Sequence, residues 1–457
     1  MKRISKIFGI VGLVVLVLVL ALGISLVLSN LNDEPLSPEV KQIFAQSHPE
    51  IATDENGYFS LIGVHGPEHM TPHEWGLRWH EAASRMDGEG GRTSDLQPEQ
   101  EQQLFSLPQD APCQDIENCL EEVLARPEET RRVLEQAQSF LDRCNLTLNY
   151  ERYQEPWRPQ MGLAAALPLY SSTCRDLQSL HFALKVAEHQ DEVAIAYLGR
   201  VMKFHTLHLQ GSVTLLSKVV AISYLFRDYR LLNQYLLLRP TESLRQILAM
   251  RKLLKPLSDK GRSMEVVLKS EITFAARGFL DLQGVVATEA DGPDGEGASQ
   301  GLFEKISTEL LYLSNATVNE YYREIRPVLI LERSSGRTYR ELAMAMENEQ
   351  ECEKDRQRSL YTLRNPVGHI LIQIGLPSFL PYLEARDNLL ALRALVAFQC
   401  DLLARGITDS AAIEQAVTQA RLVHRYTGEA SIWNKDDRTL FFPATAGSGR
   451  DPIVIRL

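Results

Sequence analysis

"PEETRRVLEQAQSFLDRCNLTLNY", Pro127 to Tyr150, decides the fold class of this chain. Val133, Leu134, Ala137, Phe140, Leu141 and Cys144 recur at steps of three and four. That spacing lines one face of a helix. Pro127 suits the first helical turn, where a missing N–H leaves nothing unpaired. The same periodicity runs outward. "DIENCLEEVLA" precedes the stretch. "CRDLQSLHFALKVAEHQ", "DEVAIAYLGRVMKFHTLHLQ", "VTLLSKVVAISYLFRDYRLLNQYLLL", "TESLRQILAMRKLL" and "SMEVVLKSEITFAARGFLDLQG" follow it. They read as antiparallel helical hairpins joined by short turns. Two segments, "AEHQDEVAIAYL" and "YLFRDYRLLNQYL", set a polar turn before an apolar helix at an offset of about 37 residues. The Gly and Pro signature of a tetratricopeptide repeat is missing, so an irregular array is expected. The end changes character. "EASIWNKDDRTLFFP" reads as strand, polar turn, strand. The expected class is therefore mostly α: irregular antiparallel hairpins or a bundle, with a short C-terminal β hairpin.

The N-terminus adds one more element. Lys2, Arg3 and Lys6 precede an uncharged apolar run from Phe8 to about Ser29, and Asp33 and Glu34 follow it. The run is long enough to cross a hydrocarbon core of ~30 Å as a helix. Basic residues before it place residues 1–7 in the cytoplasm and the body outside. A cleaved signal peptide is the rival reading, with Ala21-Leu22-Gly23 as the cleavage site. The apolar run continues through Ile24, Leu26, Val27 and Leu28, which favours an uncleaved anchor over residues 8–29. Residues 30–112 then form a juxtamembrane region. It holds a short helix near Pro38–Gln46, a capped helix near 72–86 and a polar connector over 87–112. A helical domain spans 113–284. A mobile Gly- and Asp-rich loop spans 285–301. A helical region over 302–457 ends in the hairpin. Within it, Asn365 and Pro366 of "NPVGHILIQIG" suit an N-cap and first turn. The 457-residue chain carries a formal net charge of -11, which argues against nucleic acid as a partner.

All six cysteines, Cys113, Cys119, Cys144, Cys174, Cys352 and Cys400, lie beyond the anchor. An even count in an exported body suggests disulfides. Cys113 with Cys119 is the first pairing expected, with Cys113 in a loop before the helix that carries Cys119. Cys352 with Cys400 is the second. CxxC-like spacing for zinc is absent.

The histidine-rich segment "VHGPEHMTPHEWGLRWHEAAS", Val64–Ser84, raises a metal question. His65, His69 and His73 are four apart, but Gly66-Pro67 and Pro72 prevent one continuous helix. "TPHE" is instead a capping box: Thr71 at the N-cap, Pro72 at N1, Glu74 at N3. Met70 and Trp75 take the staple positions. Trp75, Trp79, Ala82, Ala83 and Met86 form the apolar stripe. "HEWGLRWHE" lacks the HExxH pattern of a metalloprotease. A metal site remains conceivable only from His65, His69 or His73 with a distant ligand. His205 and His208, at i and i+3, read as packing residues. No nucleophile elbow, P-loop or dinucleotide glycine motif occurs. The acids Glu347, Glu349, Glu351 and Glu353 read as a solvated face.

Several segments together are similar to an uncharacterised family of exported, membrane-anchored proteins of Gram-negative bacteria. They are "ENGYFSLIGV" with "TPHEWG", "CQDIENCLEEVL" with "FLDRCNLTLNYERYQEP", "NPVGHILIQI", and "RYTGEASIWNKDDRTLFFP". The resemblance implies an inner-membrane anchor, a periplasmic body and a helical architecture. It implies no activity, and no cofactor is expected. The expected role is a non-catalytic binding or scaffold module with an envelope protein partner. The alternative is an envelope hydrolase, metal-assisted through the histidines of 65–80.

Overall fold

The computed structural model describes residues 2–46, 51–86, 107–156, 172–239, 244–289, 311–333, 364–376, 379–444 and 451–457. The chain is mostly helical, with a small antiparallel sheet at its C-terminus. The N-terminal part comprises α1 (Lys2–Asn30), α2 (Pro38–Phe44), α3 (Gly57–Ile62) and α4 (Pro72–Met86). Three short helices follow: α5 (Cys119–Ala125), α6 (Pro127–Gln136) and α7 (Gln138–Thr147). The body continues with α8 (Ser172–Ala187), α9 (Asp191–Gly211), α10 (Leu215–Leu238), α11 (Leu244–Leu253), α12 (Asp259–Arg262) and α13 (Glu265–Glu289). The last helices are α14 (Ser314–Arg333), α15 (Pro366–Gly375), α16 (Leu380–Ala404) and α17 (Ser410–Ala420). The strands are β1 (Ile432–Asn434), β2 (Thr439–Phe442) and β3 (Ile453–Arg456).

The centre of the body is α10. Every residue from Arg227 to Leu236 is buried, so this half of the helix is enclosed on all sides. It packs on α9 and α16 and also meets α5, α8, α13 and β3. Buried polar residues of the enclosed half, Arg227, Asp228, Arg230, Asn233 and Gln234, sit among the apolar ones and are hydrogen-bonded or ion-paired. Two apolar cores result. The larger joins α5–α11, α16 and the sheet; the smaller joins α2, α13, α14, α15 and the start of α16. Arg386 of α16 crosses into the second core. Its guanidinium donates to Glu332 of α14 at 2.8 Å, to the Arg262 carbonyl at 2.8 Å and to the neighbouring Asp387 at 2.8 Å. Three partners on three segments keep this buried charge satisfied.

The stretch Pro127–Tyr150 differs from a single helix. It breaks at Ala137, whose ψ of 6° opens the chain into α6 and α7. The helical period survives because the break is one residue long, and both halves bury the anticipated positions. The C-terminal hairpin also grows. "PIVIR" adds β3 beside β2, giving the order β1-β2-β3. Leu440, Phe442, Ile453 and Ile455 turn one face into the larger core. Asn233 and Gln399 each donate to the Arg456 carbonyl at 3.2 Å, and Arg230 donates to that of Val454.

The segments that flank α14 and α15 are tied to the body. In the juxtamembrane region, residues 31–37 bond to α14. Asp33 accepts from the amides of Asn315 (2.7 Å) and Ala316 (3.0 Å), so it caps α14 from a distance. Asn319 ties the Ser37 amide, the Glu34 carboxylate and the Pro35 carbonyl. Asn365 does not cap α15 through its side chain. It holds a left-handed φ of 54°, and its amide group reaches back to α14 instead. Its Oδ1 accepts from the Leu313 amide at 2.8 Å and its Nδ2 donates to Thr317 at 2.9 Å. The loop expected at 285–301 begins later, because α13 runs to Glu289; residues 290–301 lie outside the described residues, as do most of the connector 87–112 and the acids Glu347–Glu353.

Cys113 and Cys119 form a disulfide, with Cα atoms 4.0 Å apart. Cys144 pairs with Cys174, linking α7 to α8. Cys400 is a buried free thiol, and Cys352 lies outside the described residues. The expected 352–400 pair involves a residue outside the described ones; the Cys144–Cys174 bridge is one that sequence spacing did not select. The Cys144–Cys174 bridge closes a loop of 30 residues. Replacing both by Ser is expected to lower stability by roughly 3–4 kcal/mol through the freed loop entropy. Denaturant unfolding of the full chain in detergent measures this. The difference from the parent should vanish in reductant.

Candidate functional site

The histidine-rich segment folds as a helical pair. Asn56 Oδ1 accepts from the Tyr58 amide at 3.1 Å and starts α3. The capping box of α4 forms as read. The Thr71 hydroxyl accepts from the Glu74 amide at 3.2 Å, and Glu74 accepts from the Thr71 amide at 2.9 Å. α3 and α4 meet almost backbone to backbone. A Cβ on Gly76 would lie 1.8 Å from the Phe59 carbonyl oxygen, and one on Gly63 would lie 1.8 Å from that of Pro72. Only glycine permits this approach. His73 and His80, two turns apart on α4, set their rings against Phe59 at centroid distances of 5.8 and 5.4 Å. They grip α3 rather than share a ligand.

His65 and His69 lie in the turn between α3 and α4. That turn wraps around one side chain of α7. The buried Arg143 guanidinium donates to the carbonyls of Val64 (2.9 Å), Met70 (2.7 Å), Gly63 (3.3 Å) and Pro67 (3.3 Å). Burial pulls the Arg143 pKa down, and the Glu68 charge opposes it. His65 is buried against Phe140 at 5.0 Å, whereas His69 is exposed. Among the described residues, no three His, Cys, Asp or Glu side chains are grouped to hold a metal ion. The hydrolase alternative thus has no ligand set at His65, His69 and His73 among those residues.

Next to this hub runs an extended strip, Tyr150–Glu155. It joins the N-terminal pair to the bend between α9 and α10. The Gly57 amide donates to the Arg152 carbonyl at 3.0 Å, and Asn56 binds both the amide and the carbonyl of Gln154. The Glu155 amide donates to the Gly211 carbonyl at 2.9 Å. A cleft lies on each side. The first, about 630 Å³, is lined by Asp54, His73, Leu146, Asn149, Tyr150 and Arg152, among others. In it Tyr150 and His73 share a 2.8 Å hydrogen bond and stack at 15°. Burial lowers the His73 pKa, and the nearby Asp54 and Glu74 charges work against this. The second cleft, about 610 Å³, shares Glu151 and Arg152 with the first and reaches Lys218, Lys260 and Lys269. Such paired polar-and-apolar concavities are the usual form of a binding surface.

A buried polar layer supports the strip. The Glu155 carboxylate accepts from the Val213 and Thr214 amides at 2.8 Å and from the Thr214 hydroxyl at 2.8 Å. It fixes the residues just before α10, whose cap is Thr214, although burial still raises its pKa. His205 pairs with Asp228 at 2.7 Å. His208 Nε2 sits 3.1 Å from Ser217 Oγ, which donates to Ser212 Oγ at 3.2 Å. Among the described residues, no carboxylate orients His208. Its Nδ1 has no hydrogen-bond partner among the described residues, so the pair lacks the third member of a catalytic triad. Burial, with smaller effects of His205 and Lys218, pushes the His208 pKa down to about 3. Lys218 Nζ donates to the Leu209 carbonyl at 2.7 Å and the Lys260 carbonyl at 3.1 Å. Burial, helped by the Arg386 charge, pushes its pKa down to about 7. Sequence reading missed Arg143, Glu155 and Lys218, because their partners are backbone groups far along the chain. Comparison with protein-family models, curated proteins and solved structures finds no match for this chain.

Arg143→Met removes four hydrogen bonds and leaves buried carbonyls unpaired. It should cost at least about 3 kcal/mol in denaturant unfolding, with faster proteolysis at residues 63–70. His208 gives a pH signature. An unfolded histidine takes up its proton near pH 6.5, whereas folded His208 resists until about pH 3. Between those values the unfolded state binds the extra proton. Stability from this group is therefore whole above pH 6.5 and falls by about 1.4 kcal/mol per pH unit below it. In unfolding titrations the stability gap between the parent and His208→Gln should shrink by about 2–3 kcal/mol from pH 7 to 4.5. A gap constant with pH would contradict the assignment.

Proposed function

We propose that this chain is a single-pass, membrane-anchored binding protein of the cell envelope. Residues 1–7 lie in the cytoplasm and the body lies on the periplasmic side of the inner membrane. The clefts beside Tyr150–Glu155 receive a protein partner. One observation carries the placement. An apolar helix long enough to span a bilayer, Ile10–Asn30, is followed by a body with two disulfides. Disulfides persist in oxidising compartments, and the bases precede the helix while the acids follow it. The apolar side chains of α1 from Ile10 to Leu28 are exposed, apart from the half-buried Leu26, which suits contact with lipid. The binding role rests on the rigid strip. Its clefts carry apolar, aromatic and charged groups on a backbone fixed from both sides, as a partner-binding surface requires.

Two readouts on one strain test the proposal. An alkaline phosphatase fused after residue 35 should be active, because that enzyme needs an exported, oxidising site. A photo-crosslinking residue in place of Leu146, 44% exposed in the first cleft, should give one discrete protein adduct in intact cells. The same residue in place of Val193, 53% exposed on α9, should not. An inactive fusion would overturn the topology. Equal or absent adducts at the two positions would overturn the binding role.

A further inference from the structure

We infer that α15 lies in the membrane interface as a second, non-spanning contact with the bilayer. The inference rests on the anchor reading of α1. Three independent observations lead to it.

The first is the distribution of side chains on α15. Gly368 and Ile372 face inward and are buried. Ile370 and Ile374, four apart, occupy the outer side with Gln373 between them; Val367 is half-buried, and Leu371 is partly buried against the smaller core. Ile370 is 56% exposed and Ile374 is 80% exposed. This is an amphipathic stripe turned the wrong way for water. The helix sequence "PVGHILIQIG" contains no Asp, Glu, Lys or Arg. Its one titratable residue, His369, pairs with Glu320 of α14 at 2.9 Å.

The second observation is position. The Asn365 amide, at the residue just before α15, donates to Asn30 Oδ1 at 2.6 Å. Asn30 is the last residue of α1 and is itself buried. At 1.5 Å per residue the Ile10–Asn30 span is about 31 Å long, which matches the thickness of a hydrocarbon core. Asn30 thus marks the exit of α1 from the bilayer. All of α15, about 15 Å long, lies within one helix length of that exit.

The third observation is rigidity. The juncture is not a tether. Asp33 caps α14, Asn319 binds residues 34, 35 and 37, and Arg364 meets Glu34 at 3.7 Å. The body is therefore held close to the exit of α1. Leu31, 56% exposed, continues the apolar surface across the juncture. A bilayer is the one apolar phase that the anchor itself brings to this face. Burial of the stripe in acyl chains removes its exposure to water.

The test uses the full chain in vesicles of phosphatidylethanolamine and phosphatidylglycerol that contain a diazirine-bearing acyl chain. After photolysis, mass spectrometry maps the lipid adducts. Adducts on both α1 and Val367–Ile374 are expected. The double variant Ile370→Gln/Ile374→Gln changes only exposed positions. It should keep the α1 adducts and lose those on α15 by about tenfold or more, the ratio for ~1.4 kcal/mol. Adducts on α1 with none on α15 would overturn this inference and leave the anchor standing. Absence of adducts on α1 would overturn the anchor reading instead, and this inference with it.

Discussion

The Arg143 guanidinium organises the N-terminal half of the body. Its four carbonyl partners all lie in Gly63–Met70, a turn with little regular backbone pairing of its own. Buried carbonyls need donors, and a single planar cation with five N–H groups supplies them over a short arc. The position of α4 follows from that turn. The position of α7 follows from Cys144, next in the chain, which is bridged to Cys174 of α8. One turn of α7 thus connects the N-terminal pair to the main core by a charge and by a covalent bond.

The strip Tyr150–Glu155 extends the same logic. It is pinned by Asn56 at one end and by Gly211 and the Val213–Thr214 amides before α10 at the other. Neither cleft beside it depends on a long loop. A surface built this way loses little conformational entropy when a partner arrives, which favours binding. The buried His205–Asp228 and His208–Ser217 pairs beneath it complete a polar layer between helices. They are enclosed and act as structural bonds within the core. The Lys218 amine is spent on carbonyls at the end of α9 and in α12, where such carbonyls lack helical partners.

At the membrane end the chain is equally constrained. The sequence between α1 and α2 is short and polar, and it looks like a flexible spacer. In the fold Asp33, Glu34 and the Ser37 amide are used on α14 or on Arg364, and the Ser37 hydroxyl caps α2. The geometry of the anchor is consequently transmitted to the body.

The sequence by itself determined the features governed by neighbours along the chain. The helical class follows from the periodicity of Val133–Cys144, the start of α4 from Thr71 and Glu74, and the apolar span from an uncharged run. Each depends on contacts within four residues or on composition. The Cys113–Cys119 bridge, six apart, was within reach of the same reasoning. Only the tertiary structure decided the rest. The third strand, the role of Asn365, the Cys144–Cys174 bridge and the carbonyl cage of Arg143 all join residues distant in the chain. So does the use of His73 and His80 as a grip on Phe59. Hydrogen bonds to backbone groups leave no side-chain pattern to read, and a close helix approach shows itself only as two glycines, Gly63 and Gly76. Those glycines were visible in the sequence, but the carbonyls they admit belong to another helix, and only folding brings them within reach.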